Sequence, residues 1–300
     1  MAEAVATLDP QASVAAAAPR RSPRWATLRR LLRHRSFQTG LVLFAIILVA
    51  ALFAPMITPS DPTKLAMRAR FKPPSWDFLF GTDNLGRSQL SRVVYGAQLS
   101  LMIGTAVVVI NAVFGTLIGS LSGYFRRLDN MLMRINDAIM AFPAILLAIG
   151  VAAVLGRSMP NMILALSIVY IPRTARIVRS SVIVIRQMEY VQAAVAAGAG
   201  HWRILRRHIL PNSMAPLLVQ LSFLFAYAVL TEATLSFLGL GAEPPTPTWG
   251  NIMAEGRQYM REAPWIIAIP GAALAITVMA LNLLGDGLRD ILDPRLRIQQ

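Results

Sequence analysis

Six stretches of this sequence are apolar for about as long as a helix must be to cross a bilayer, which is about 20 residues and no fewer than about 17. They run roughly from Leu41 to Ile57, Leu99 to Leu121, Ile135 to Leu155, Met159 to Val178, Ala215 to Leu235 and Trp265 to Leu284. Hydrocarbon offers backbone N–H and C=O groups no partner, so such segments must satisfy their own hydrogen bonds as helices. The expected fold is an all-α integral membrane protein with six transmembrane helices. Pro172 and Arg173 interrupt the fourth stretch, whose inner end is expected to kink.

Composition agrees. Of 300 residues, 55% are hydrophobic and 15% charged, with a mean hydropathy of +0.54, whereas soluble domains carry about 25% charge. A formal net charge of +14 would suit a nucleic-acid binder, but the excess is mostly arginine placed beside the apolar runs. The bilayer is therefore the expected partner, and nucleic acid is not. Cysteine is absent, which excludes disulfides, a thiol nucleophile and Cys metal sites.

Basic residues set the orientation, because they are retained on the cytoplasmic side. With both termini cytoplasmic, residues 1–40, 122–134, 173–214 and the C-terminal tail hold 20 Lys and Arg, against nine on the other side. The expected division is a largely disordered cytoplasmic tail at 1–35, a first span with its outer loop at 36–98, a core domain at 99–290 with a cytoplasmic loop at 179–212, and a cytoplasmic tail at 291–300. The tail's Ala- and Pro-rich composition has too little apolar bulk to order itself. About 40 residues precede the first span, so it reads as an uncleaved anchor rather than a signal peptide.

The outer segment from Thr58 to Gln98 and the last outer loop, with Pro244, Pro245 and Pro247, are proline-dense and expected to be mostly non-helical until about Ser88 and Gly250. Gly115, Gly119 and Gly123 in the second span recur at the spacing that lets helices approach closely in lipid. Packing within the chain is the favoured reading, and a subunit contact the other.

One polar island remains. From Glu189 to Pro211 the chain shows a helix former with Glu189 and Gln192 on one face and Met188, Val191 and Val195 on another, a Gly198/Gly200 break, and a basic stretch from Trp202 to Leu210. Composition alone leaves open an amphipathic helix lying on anionic headgroups. The spacing resembles the EAA loop of ABC importer permeases: Glu-Ala-Ala, three residues, Gly, nine residues, Ile, one residue, Leu-Pro. Gln192, Ala193, Ala194, Gly198, His208, Leu210 and Pro211 occupy those positions, with Gln192 and His208 departing from the pattern. Gln192 lacks the charge of the family's Glu, and Glu189, one turn earlier, is the candidate replacement.

Further segments are similar to the C-type permease subunit of dipeptide, oligopeptide, glutathione and nickel importers: Phe80 to Arg87, Ser91 to Ala97, Leu235 to Gly241 with Pro244 to Pro247, and Asn282 to Asp290. The family usually has Asp at the position of Ser88. The resemblance implies a type I ABC importer transmembrane domain with a cytoplasmic coupling helix, in a bacterial inner membrane. It further implies a translocation pathway for peptides or glutathione-like solutes shared with a homologous permease, with nickel or another small solute as the alternative and a stand-alone secondary transporter as a lesser one. Partners would be that permease, two cytoplasmic ATP-binding subunits and a periplasmic or extracellular solute-binding protein. No G-x-x-x-x-G-K-[S/T] loop occurs in the sequence, so ATP and Mg would be held by the partner ATPases and no cofactor by this chain. No catalytic set is recognisable, and His34, His201 and His208 lack ligand spacing for a metal.

Ionisable residues within spans are costly and often functional. Glu232 lies about 18 residues into the fifth span, roughly 27 Å at the helical rise, so it either lines the outer mouth of a pathway or is a wetted interfacial carboxylate. Asp137 is expected to favour a helix N-terminus, Asp286 to form ion pairs with Arg289 beside Asp290, and Arg157 to be solvated.

Overall fold

A computed structural model describes residues 29–292 apart from Pro59. Residues 1–28 of the N-terminal tail expected to be disordered, and 293–300 of the C-terminal tail, lie outside these residues, whereas Arg29 to Leu31 of that N-terminal tail form a helical turn. Besides a single turn at Ala54–Ile57, the main helices are α1 (Arg35–Leu52), α2 (Gln89–Tyr124), α3 (Arg126–Met140), α4 (Ala144–Leu155), α5 (Met159–Arg186), α6 (Glu189–Ala196), α7 (His201–Phe237), α8 (Trp249–Gly256) and α9 (Trp265–Leu292). Among the described residues there is no strand, only an isolated bridge between Thr82 and Ser88.

Five of these helices are long and apolar enough to cross a membrane, and the α3–α4 pair, bent by 90°, makes a sixth when its two helices are taken together as one span. The straight third span expected over Ile135–Leu155 is therefore corrected. Pro143 has no N–H to return to the preceding turn and pushes Phe142 out of helical conformation, so the helix breaks there. The twelve residues of α4 reach about 18 Å, too short to cross about 30 Å of hydrocarbon unaided.

The fourth span differs in the other direction. Pro172 does not end it: α5 runs on as one helix to Arg186, its inner half packed through Ala175, Val178, Val182 and Ile185. The reason is the glycine row of α2. A Cβ at Gly115 would fall 2.7 Å from Thr174 Cβ, and one at Gly123 2.8 Å from Val182 Cβ, while Gly119 faces the Ala175 carbonyl. The row brings α2 and α5 into backbone contact within the chain, as favoured from the spacing.

Around this pair, α7 packs on α2 and α5, α9 packs on α7, and α1 lies on α9. Only Gly40 and Ala51 of α1 are buried, which leaves most of its apolar surface for lipid. Antiparallel running sorts the connections to two ends. The starts of α2 and α9 meet where Gln89 Nε2 donates to the Ile266 carbonyl, at the end that carries the Thr58–Ser88 segment and α8. The opposite end carries α6, the start of α7 and the His34–Asp290 ion pair (3.4 Å). Serine 88 ends the non-helical segment by capping α2, its hydroxyl accepting the Ser91 N–H. The loop before α8 is likewise non-helical, and Asn251 ties it down by donating to the Ala242 (2.8 Å) and Thr246 (3.3 Å) carbonyls.

Candidate functional site

The polar island forms a compact projection at one end of the bundle. After Arg186 the chain turns through Gln187 and Met188 into α6, and Val191, fully buried, anchors that helix among Tyr124, Val178, Val182, Ile185, Ile204 and Leu205. Gly198 ends α6 at φ +78°, the left-handed conformation glycine adopts freely, and nothing lies within 4 Å of where its side chain would point. The start of α7 is fixed by Tyr124, whose hydroxyl hydrogen-bonds His201 Nδ1 at 3.0 Å, and by Phe125, edge-on to His201 and Trp202.

Gln192 Nε2 donates to the Arg186 carbonyl at 2.8 Å, closing the end of α5. An ionised glutamate has no proton to give to that carbonyl. The departure from Glu thus has a local physical role. Ala193 is exposed and Ala194 half-buried; Glu189 is exposed and forms no ion pair among the described residues. Of the apolar face expected from periodicity, only Val191 is buried, whereas Met188 (43%), Val195 (49%), Tyr190 (42%) and Trp202 (67%) remain exposed. Partial burial still pushes the Tyr190 phenol above its ordinary pKa.

His208 is half-buried with its ring 6.4 Å from that of Tyr190, so α7 closes over α6 at this point, and Leu210 packs on the Val191 cluster. The chain passes through a π turn at Leu205–Ile209 and continues helical past an exposed Pro211, the wider turn accommodating a residue with no N–H to offer. Behind Gln192 lies a polar cleft of about 390 Å³ lined by Gly123, Arg126, Asp129, Arg186 and Gln192.

Several charges sit elsewhere than expected. Glu232 is neither wetted nor at an open mouth: it is completely buried between α2 and α7, accepting hydrogen bonds from Ser100 and Ser236 hydroxyls, each at 2.8 Å. Helical depth could not reveal this, because Ser100 arrives from α2 and only Ser236 from the same helix. Asp137 lies in the last turn of α3, not the first, and pairs with Arg176 at 2.6 Å; the acid of the first turn is Asp129, which accepts from Arg179 Nε at 2.5 Å and Nη2 at 2.7 Å. Asp286 is exposed and forms no ion pair among the described residues, so the local pairing expected beside Arg289 is not made, and Asp290 lies against His34 at 3.4 Å. Arg157 is exposed, as expected of a short turn.

A second constellation was not singled out from sequence. At the end opposite α6, Asp83 accepts from Arg87 Nε (2.5 Å) and Arg92 Nη1 (2.8 Å), and Glu255 of α8 accepts from Arg87 Nη2 (2.5 Å) and Arg92 Nη2 (3.0 Å). Arg92 and Asp83 are each 1% exposed. The signal was the spacing of Asp83, Arg87 and Arg92 along one segment, but Glu255, 163 residues from Arg92, completes the set.

A chain of bent and straight spans, bearing a short projecting helix, matches the sequence pattern of binding-protein-dependent transport system inner membrane components over residues 112–298. The chain belongs to that family. Residues 22–74 match the N-terminal transmembrane domain of oligopeptide transport permease C. The permease is 56% identical to a Brucella abortus biovar 1 (strain 9-941) protein named as a peptide transport system permease, over 93% of this chain and 94% of that protein. It is 42% identical to the dipeptide transport system permease protein of Alkalihalophilus pseudofirmus (92% and 91% covered). It is also 42% identical to the glutathione transport system permease protein of Pectobacterium atrosepticum (90% of each). Membership makes this multi-pass permease an inner-membrane transport component rather than an enzyme.

Proposed function

We propose that this permease is the C-type transmembrane subunit of an ATP-driven peptide importer, forming the translocation pathway with a second, homologous permease. Peptide cargo is supported by the names of relatives that match nearly the whole chain. A nickel chelate finds no such support among them.

The observation that carries the mechanism is the exposed apolar tip at 188–202. Met188, Tyr190, Val195 and Trp202 stand out of a helix rigidly seated through Val191, with Arg203, Arg206 and Arg207 beside them. Exposed aromatic and methionine side chains on a fixed helix suit insertion into a groove of a partner. We assign that groove to the ATP-binding subunits, with Glu189, Gln192, Ala193, Ala194 and Gly198 on the contact surface and His208, Leu210 and Pro211 transmitting its movement into α7. ATP and Mg would then act on the partners, and closure of the two ATPases would draw the α6 helices and bias the paired permeases between inward-open and outward-open states. On this reading the α6 end and both termini are cytoplasmic, and the Thr58–Ser88 and α8 end meets the solute-binding protein.

The test is co-purification and transport. A tagged chain should bring down a second permease and two ATPases, and Gly198→Trp should leave the protein in the membrane while lowering ATP-driven peptide uptake at least about tenfold, since the strained left-handed residue and the added bulk both act at the docking tip. Uptake by the purified chain alone without ATP, or unchanged uptake by the variant, would overturn this assignment.

A further inference from the structure

Three arginines are spaced three residues apart on α5, and the first of them is placed unlike the others. Arg179 is held by Asp129 and Arg176 by Asp137, both carboxylates of α3. Arg173 is exposed and has no carboxylate partner among the described residues. Its guanidinium lies instead over the ring of Tyr227, 5.4 Å from the centroid.

Its depth makes this costly. Arg173 is 14 residues from the start of α5 and 13 from its end, so about 20 Å of helix extends on either side. Tyr227 lies near the centre of the apolar run from Ala215 to Leu235. A charge set within a membrane-spanning helix is expected to face water or a binding partner rather than lipid. The bend of the third span supplies the space: at the Phe142–Pro143 break a cavity of about 210 Å³ opens, lined by Met140, Phe142, Leu147, Val169, Tyr170 and Arg173. Tyr170 is itself fixed there by a 2.7 Å hydrogen bond to Thr231.

We propose that Arg173 is a cargo-binding residue of the translocation pathway, taking the terminal carboxylate of the transported peptide in the cavity beside the bent span. This rests on the peptide-importer reading above. A guanidinium presents paired donors that match the two oxygens of a carboxylate, and Met140, Phe142 and Val169 give the rest of a short peptide an apolar, side-chain-tolerant wall. Every unmodified linear peptide ends in a carboxylate, whatever its sequence. One fixed cation can therefore serve many cargoes. The bend is then the device that clears a lateral opening for the charge, which a straight third span would cover.

The experiment uses the complete importer in proteoliposomes, with its solute-binding protein saturated by either radiolabelled dialanine or its C-terminal amide. Uptake of the free acid by Arg173→Gln should fall about 10- to 100-fold, the range for loss of a charge-assisted hydrogen bond, while Arg173→Lys keeps part of it. Uptake of the amide should differ little between wild type and Arg173→Gln, and ATPase stimulation by the loaded binding protein should persist, showing an assembled complex. An equal loss for acid and amide, whether from misassembly or from a lost contact with the second permease, would overturn the assignment. So would wild-type uptake of the acid that Arg173→Gln leaves unchanged, with the importer reading intact. If the wild-type complex takes up no peptide, the importer reading itself fails, and the carboxylate site with it.

Discussion

The two ends of this permease are built on opposite principles. At the Asp83 end the polar groups answer one another within the chain: two arginines share two carboxylates, Trp249 Nε1 donates to the Val93 carbonyl at 3.0 Å and Trp265 Nε1 to the Thr82 carbonyl at 3.0 Å. At the α6 end a tryptophan, a tyrosine, a methionine and a valine stand exposed around one buried valine. At the first end the charged groups of Asp83, Arg87, Arg92 and Glu255 are matched to one another within the chain. The second gathers uncovered apolar side chains on one short projecting helix and the start of the next, as a surface completed by another protein requires. Conserving the shape of the first end and the availability of the second are different demands, and substitutions should separate them.

The strongest test is Arg92→Met. It leaves Asp83 and Glu255 short of a buried partner, a change that costs about 3–5 kcal/mol. The thermal midpoint of the detergent-purified importer should fall sharply. A midpoint within a degree of wild type would show that the cluster is not a structural clamp.

At the other end, Val191→Ala removes the single buried anchor of α6 and should cost about 2 kcal/mol locally. Because the bundle does not depend on it, the global midpoint should move little while hydrogen exchange of residues 189–197 accelerates. If global stability fell as much as in Arg92→Met, the α6 end would be part of the core rather than an appended projection.

Gln192→Glu is smaller and sharper. The variant restores the family's residue but forfeits the proton donated to the Arg186 carbonyl, a loss of about 1 kcal/mol. Exchange at the α5–α6 junction should rise slightly. ATPase stimulation in the assembled importer then reports whether the charge strengthens partner contact; unchanged junction exchange would show that the Gln192 hydrogen bond contributes nothing.

Ser88→Asp should do least. Serine and aspartate cap helices about equally well, so stability should stay within a few tenths of a kcal/mol, whereas Ser88→Ala should lose about 1 kcal/mol. A midpoint drop for Asp comparable to that for Ala would mean that Ser88 has a role beyond capping α2.

Much of this was legible from the chain. Apolar length gave the six spans, because the bilayer thickness is fixed; the four-residue glycine rhythm gave the α2–α5 contact, because only absent side chains permit that approach; and the Gly198 break gave the end of α6. The site was legible in its local parts. Gln192, Ala193, Ala194 and Gly198 lie on one short element and its cap, so spacing along the chain was enough to group them.

What spacing missed are relations between elements. Glu232 was placed by counting residues along its own helix, which says nothing of the Ser100 hydroxyl arriving from α2. Asp137 was assigned to a helix start because the apolar run began there, whereas the bend at Phe142–Pro143 makes it the last turn of a separate helix. Arg173 read as a span exit because charge usually marks the end of an apolar run, yet the buried face against α2 carries the helix another 13 residues.

Sequence by itself determined that this chain lives in a membrane, which runs are apolar enough to cross it, and which polar segment stands apart from them, since each follows from hydropathy and backbone hydrogen bonding along the chain. Only the tertiary structure decided which charges are neutralised, at which depth they sit, and which remain uncompensated. Ion pairs such as Arg179 with Asp129 join residues 50 apart, and distance in space, not along the sequence, sets the energy of a charge.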